Sequence, residues 1–253
     1  MAPLQTASLG KRLADTDVVT RNRGLKKLTT AMEKNASAFE SLEDLLRVWR
    51  GLWYGLWMAD KRPVQQQVAV EAVSLGSKLS DDKFILWTKA FYATLVEMWP
   101  KLDRHRMDKF LFLVRVFIAE SFRRMSVAGW KASFVSSLTT ELVNGGNKSI
   151  GVTLHIMRVW WDELSAEVER SETPVEPKII LRVLKAPIAF ATTSAIESVV
   201  RRACEDVLAS TKVPKSVRKS IAKELSEKAR DAKTDQDIRE ILYETVEALE
   251  ARK

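Results

Sequence analysis

Two histidines, His105 and His155, and one cysteine, Cys204, are the side chains of this 253-residue chain best suited to metal ligation or nucleophilic chemistry. A zinc site needs three or four such ligands, commonly paired as CxxC or HxxxH, and neither histidine has a partner at that spacing. Cys204 stands among Val200, Val207 and Leu208 and reads as a small core residue, and a lone thiol excludes an intramolecular disulfide. NGGNKS, from Asn144 to Ser149, imitates a phosphate-binding loop only superficially, because that loop needs a preceding strand and a wider glycine spacing. Asp162 and Glu163 are neighbours on a helical pattern, so their carboxylates point about 100° apart. One is expected to pair with a basic residue and the other to be solvated. No acidic cluster of the kind that holds metal ions for RNA cleavage is visible. The chain therefore reads as a non-enzyme with no cofactor and no small-molecule substrate.

Charge carries more information. Lysine plus arginine outnumber aspartate plus glutamate by 41 to 33, giving +8 and a pI near 9.5. That balance favours a polyanionic neighbourhood without proving a nucleic-acid contact. Eight basic residues lie between Lys101 and Lys131, against Asp103, Asp108 and Glu120, and a second basic cluster runs from Lys212 to Lys233. On a helix projected at about 100° per residue, Arg104, Asp108 and Arg115 fall beside Leu111, Ile118 and Phe122. There they are expected to be buried as an ion-pair network that fixes helix register, since an unpaired charge on an apolar face is costly. The other flank gathers Arg106, Lys109, Arg123 and Arg124 around Glu120. That exposed stripe is the candidate surface for an acidic partner or an RNA backbone, with a plain solvated face as the alternative.

The elements that carry these residues are helical almost throughout. WRGLWYGLWMADK, from Trp49 to Lys61, places three of the eight tryptophans at i, i+4 and i+8. Trp49, Trp53 and Trp57 then share one core stripe with Leu42, Leu45, Leu46, Leu52 and Leu56. Gly51 and Gly55, with Tyr54 and Met58, occupy the reverse side. Their weak helix propensity, about 1 kcal/mol each relative to alanine, predicts a neighbouring backbone packed closely there. Other helices are predicted over residues 6–14 and 18–34, the latter with Leu25, Leu28 and Met32 inward. More follow from Ser41, from Pro63 to Leu79, after the Ser80-Asp81-Asp82 cap, and from Asp103 to Met125. Beyond the Gly129 turn one helix runs to Val143, NGGN is the clearest loop, and the next helix spans Ser149 to Arg170. Pro187 is expected to kink or divide the stretch before Leu208. Two charged helices close the chain, 216–231 and 235–248, the second opened by Thr234, with thin stripes that predict peripheral packing. Helices of 15 to 20 residues joined by short turns imply stacked antiparallel pairs, although no sharp period appears and a compact bundle is the alternative. The opening MAPLQTASLGKRLADTD lacks the apolar run of a signal peptide, and no stretch approaches the roughly 20 apolar residues of a membrane span. Neither secretion nor membrane association is expected.

Three ordered motifs add a resemblance. WRGLWYGLWMADK with Gln65-Gln66 resembles the signature W-K-G-L-F-Y-x-x-W-x-x-D-K of the nucleolar ribosomal-RNA-processing proteins of the Nop52 type. DRHRMDKFLFLVR, Asp103 to Arg115, resembles that family's D-R-x-R-x-D-K-F-x-x-L-x-R, and GVTLHIMRVWWDEL, Gly151 to Leu164, resembles a third block. With LADTDVVTRNRGLKKL near the start, the resemblance covers roughly residues 9–165. Trp53 stands where phenylalanine is usual, Arg50 replaces lysine and His105 interrupts the basic motif. By this resemblance Trp49, Trp53, Trp57, Asp60, Lys61, Arg104, Asp108 and Arg115 are structural motif residues. It implies an all-α HEAT-like domain over 1–170, with 171–253 as a helical extension packed on or continuing it. It also implies a non-enzymatic scaffold in nucleolar precursors of the large ribosomal subunit. Its partners would be other assembly factors, ribosomal proteins and the precursor RNA backbone. A general adaptor of the importin type is the alternative that composition alone leaves open.

Overall fold

The computed structural model describes residues 11–13, 15–34, 41–146, 149–172 and 174–251. Of the helix expected over 6–14, Lys11 to Leu13 are helical and the rest lies outside the described residues. The helices are α1 (Val18–Lys34), α2 (Leu42–Trp57), α3 (Arg62–Ser74), α4 (Asp81–Met98) and α5 (Arg104–Val127). Then follow α6 (Ala132–Gly146), α7 (Ile150–Arg170), α8 (Pro177–Thr193), α9 (Glu197–Arg202, continued as a π turn through Leu208), α10 (Lys215–Arg230) and α11 (Gln236–Ala251). The described residues contain no strand. No helix among them is long and apolar enough to cross a membrane.

Local chemistry sets most boundaries. Ser41 caps α2 by accepting from the Asp44 N–H at 3.1 Å, and its hydroxyl donates to the Asp44 carboxylate at 2.6 Å. Pro63 sits in the first turn of α3, where its missing N–H costs nothing. Asp103 accepts from the N–H groups of His105 and Arg106 and so starts α5. Other boundaries differ from expectation. α3 stops at Ser74, and Leu75–Lys78 tighten into a 3₁₀ turn. Asn144, Gly145 and Gly146 belong to the last turn of α6, where Gly146 accepts from the Thr153 hydroxyl; Asn147 lies outside the described residues. Pro187 stays inside α8, and the chain breaks instead at 194–196. At the last helix Asp235, not Thr234, accepts from the N–H of Asp237; the Thr234 hydroxyl donates to the Lys228 carbonyl.

The chain forms two compact units, residues 1–120 and 121–253. In the first, α2 lies against both α3 and α4. Its core is aromatic: Trp49 has ring centroids 4.4 Å from Trp87 and 4.8 Å from Phe91, while Phe91 stacks on Phe117 of α5 at 3.9 Å. Trp53 stacks on Phe110 at 3.8 Å, and the Trp49 indole N–H donates to the Trp87 carbonyl at 3.2 Å. Gly55 receives a backbone as predicted, since a Cβ there would lie 3.2 Å from the Leu13 carbonyl oxygen. Two positions of α2 are corrected: Leu42 of the core stripe, in the first turn, is 40% exposed, and Tyr54, on the reverse side where a packed neighbour is expected, is exposed too. They sit on the outer side of a helix that neighbours cover only in part.

The second unit is layered. α6, α8 and α10 pack one against the next, and α7, α9 and α11 do the same, with α6 on α7, α8 on α9 and α10 on α11 joining the rows. This is the arrangement of stacked helical pairs, so the all-α repeat-like architecture holds. The thin stripes of α10 and α11, including Val217, Ile221, Leu225, Ile238, Leu242 and Val246, are buried. Cys204 is buried in the π turn of α9, and burial pushes its thiol up to about 11.

Candidate functional site where two motifs meet

The two longest motifs converge at the C-terminal end of α2. A helix end leaves carbonyls without intrahelical partners, and here side chains from two other elements reach them. Lys109 of α5 donates from Nζ to the carbonyls of Trp57 at 2.7 Å and Ala59 at 2.9 Å. Gln65 of α3 donates from Nε2 to the carbonyls of Ala59 and Asp60, both at 3.0 Å. Arg106, one turn before Lys109, lays its guanidinium over the Trp57 ring at 4.5 Å and pairs with Asp103. The end of WRGLWYGLWMADK is thus clamped by DRHRMDKF and by the glutamine that follows it.

That geometry corrects the expected stripe. Lys109 is only 7% exposed and serves as an internal cap; burial lowers its pKa to about 8, Arg106 adds to the effect, and Asp60 and Asp103 oppose it. Arg106, Arg123 and Arg124 are half-buried rather than exposed. Arg106 falls in the first compact unit and Arg123 and Arg124 in the second. The buried ion-pair network is corrected as well, because Arg104, Asp108 and Arg115 are all exposed. A straight projection assigned α5 one inner face. In fact Phe110, Leu113, Val114 and Phe117 are buried in its first half, and Ile118, Phe122 and Met125 further on, so the inner sector drifts around the helix. Trp49 and Trp53 are buried, as the stripe requires, but Trp57 is only half-buried, and Asp60 and Lys61 are exposed beyond the helix end.

A polar cavity of about 270 Å³ opens beside the clamp, lined by Asp60, Arg62, Gln65, Gln66, His105, Asp108, Lys109 and Phe112. All are motif residues or their neighbours, and both charge signs are present. Lys109 commits its ammonium to backbone carbonyls and His105 accepts from the Arg104 guanidinium at 3.3 Å, so the arrangement suits polar recognition rather than nucleophilic attack. Among the described residues no group of three or more His, Cys, Asp or Glu is placed to hold a metal ion. Asp162 pairs with Lys212 at 3.4 Å, a basic partner of the kind expected for one of the two adjacent carboxylates. Sequence reasoning missed the capping roles of Gln65 and Lys109. The lysine's only local signal is its place beside Phe110, and its acceptors lie about 50 residues away.

Residues 4–250 match the family described as Nucleolar protein, Nop52. The mouse protein named ribosomal RNA processing protein 1 homolog A is 33% identical over 170 residues, which is 62% of this chain and 34% of the mouse protein. The fruit-fly (Drosophila melanogaster) ribosomal RNA processing protein 1 homolog is 30% identical over 197 residues, 75% of this chain and 29% of its own length. The human homolog A is 30% identical over 166 residues, 62% of this chain and 36% of the human protein. The chain thus spans about a third of the length of these curated relatives.

Proposed function

The chain belongs to the Nop52 family of nucleolar proteins, and on that premise we propose that it is a non-catalytic factor of ribosome biogenesis, acting in the nucleolus on precursors of the large subunit. Its helices serve as a scaffold for other assembly factors, ribosomal proteins and precursor RNA, and processing of that RNA depends on the scaffold being in place. The observation that carries this reading is the use to which the motifs are put. Trp49, Trp53, Lys109 and Gln65 are occupied by packing and by capping one helix end. Motif residues committed to shape, rather than aimed into a reaction centre, are what a positioning protein needs. The recognised motif blocks lie within residues 1–170, and 171–253, which the family match also covers up to residue 250, serve as a helical extension. Of the four residues of the basic stripe, Arg106, Arg123 and Arg124 remain partner contacts in this proposal, whereas Lys109 does not.

Sedimentation tests the reading. The tagged chain in its native cells should travel with large-subunit precursors in a sucrose gradient, and its depletion should lead to accumulation of unprocessed precursor RNA. Recovery only in light fractions, with normal RNA processing on depletion, would defeat the proposal and favour a general adaptor.

A further inference from the structure

A groove whose charged lining residues are all cationic lies on α1, away from both long motifs. Arg23, Lys26, Lys27 and Thr30 recur at i, i+3, i+4 and i+7 and so share one face, opposite the buried Leu25, Leu28 and Met32. The helical turn Lys11–Leu13 is wedged beside them. A Cβ on Gly24 would lie 3.2 Å from the Arg12 Cβ, and one on Gly55 3.2 Å from the Leu13 carbonyl oxygen, so a glycine on each of α1 and α2 admits this turn. Leu13 is buried and Arg12 is left standing across from the α1 cations. The result is a groove of about 630 Å³ lined by Arg12, Arg23, Lys26, Lys27, Thr30 and Ala31.

All four cations are exposed, and among the described residues none forms an ion pair. Several exposed cations elsewhere are matched, among them Arg47 with Glu43, Arg50 with Glu97 and Lys185 with Glu224. Like charges at i, i+3 and i+4 weaken a helix, and Asp17 acts on Arg23 only from beyond ion-pair distance, so a cationic cluster held in place by a packed turn is explained by a polyanion that it binds. We infer that this groove binds the phosphate backbone of RNA, without reading base sequence. The inference rests on the functional reading above only for the choice of RNA as the polyanion. The lining itself disfavours an acidic protein: it offers no aromatic or large aliphatic anchor, on which protein interfaces rely. Cationic side chains and a hydroxyl are, in contrast, the usual contacts to phosphate. Without an aromatic ring to stack bases, contact is confined to the backbone. Arg23 to Thr30 span roughly 10 Å of helix, the rise of about three nucleotides of one strand.

The test measures fluorescence anisotropy of the full chain with a short structured RNA of unrelated sequence, across a salt series. Lys26→Glu with Lys27→Glu should melt like wild type and bind at least tenfold more weakly. The slope of log affinity against log salt should flatten by roughly 1.5, at 0.7 to 0.9 for each phosphate no longer neutralised. Unchanged affinity and slope would overturn the inference. So would an equal weakening on reversing Lys219 and Lys223, exposed lysines of α10, or tighter wild-type binding to an acidic polypeptide than to RNA. Gradient sedimentation keeps the two proposals apart: a chain that travels with precursor particles but binds no RNA defeats this inference alone.

Discussion

Around α2, α4 and α5 the core is made of rings, whereas between α10 and α11 it is made of branched aliphatic side chains. Trp49, Trp53, Trp87, Phe91, Phe110 and Phe117 meet at ring distances between 3.8 and 5.8 Å. Val217, Ile221, Leu225, Ile238, Ile241, Leu242 and Val246 fill the C-terminal pair. A ring buries far more area than an aliphatic side chain and has preferred pair geometries, which add about 0.5 to 1.5 kcal/mol for each pair. It also brings a polar edge, which the Trp49 indole satisfies on the Trp87 carbonyl, whereas the buried indole N–H groups of Trp53 and Trp87 have no hydrogen-bond partner among the described residues. A seam of aliphatics makes no such demands and tolerates changes of shape. Two of the three motif blocks fall on the first region, where few substitutions fit; the third lies on α7.

If that contrast is right, Trp53→Ala should have the largest effect, a loss of about 3 to 5 kcal/mol in urea unfolding of the first unit. A smaller cost than an aliphatic truncation in α10 would break the comparison. Next comes Lys109→Met, which keeps the apolar stem but removes both bonds, to the carbonyls of Trp57 and Ala59, and should cost about 2 kcal/mol at neutral pH. This variant also sharpens the comparison through pH. Lys109 has a pKa of about 8 in the folded protein against an ordinary 10.5, so between those values the unfolded chain binds more protons. Stability from this site is therefore lowest below pH 8 and rises toward pH 10.5. Wild type should gain stability relative to Lys109→Met across that window, and parallel profiles would show that the ammonium is not held in the clamp.

In the aliphatic seam, Leu225→Met should cost under about 1.5 kcal/mol, because volume is conserved and methionine adapts. A cost as large as that of Trp53→Ala would show the seam to be as exacting as the ring core. The smallest effect is expected from Asp108→Ala. Asp108 is exposed on α5, so its removal should shift stability by no more than about 0.5 kcal/mol. A drop of several kcal/mol in thermal unfolding would restore the buried ion-pair network that the structure rejects.

What the sequence determined was local. Period and capping chemistry placed α1, α7 and the start of α2 to within a residue or two, because a helix start depends on side chains three or four positions away, as Ser41 and Asp44 demonstrate; α2 itself ends at Trp57, short of the expected Asp60. Spacing alone also assigned Trp49 and Trp53 to the core, and ordered motifs identified the family. The tertiary structure decided everything that depends on partners distant in the chain. Lys109 looks like one more surface cation until the carbonyls of Trp57 and Ala59 are brought to it. Arg104, Asp108 and Arg115 project onto an apolar stripe, yet the neighbours of α5 cover a different sector at that level. The cations of α1 become a groove only because Arg12 is carried beside them by a turn seated on Gly24 and Gly55. Helical periodicity says which residues share a face, and only packing says which faces are covered and by what.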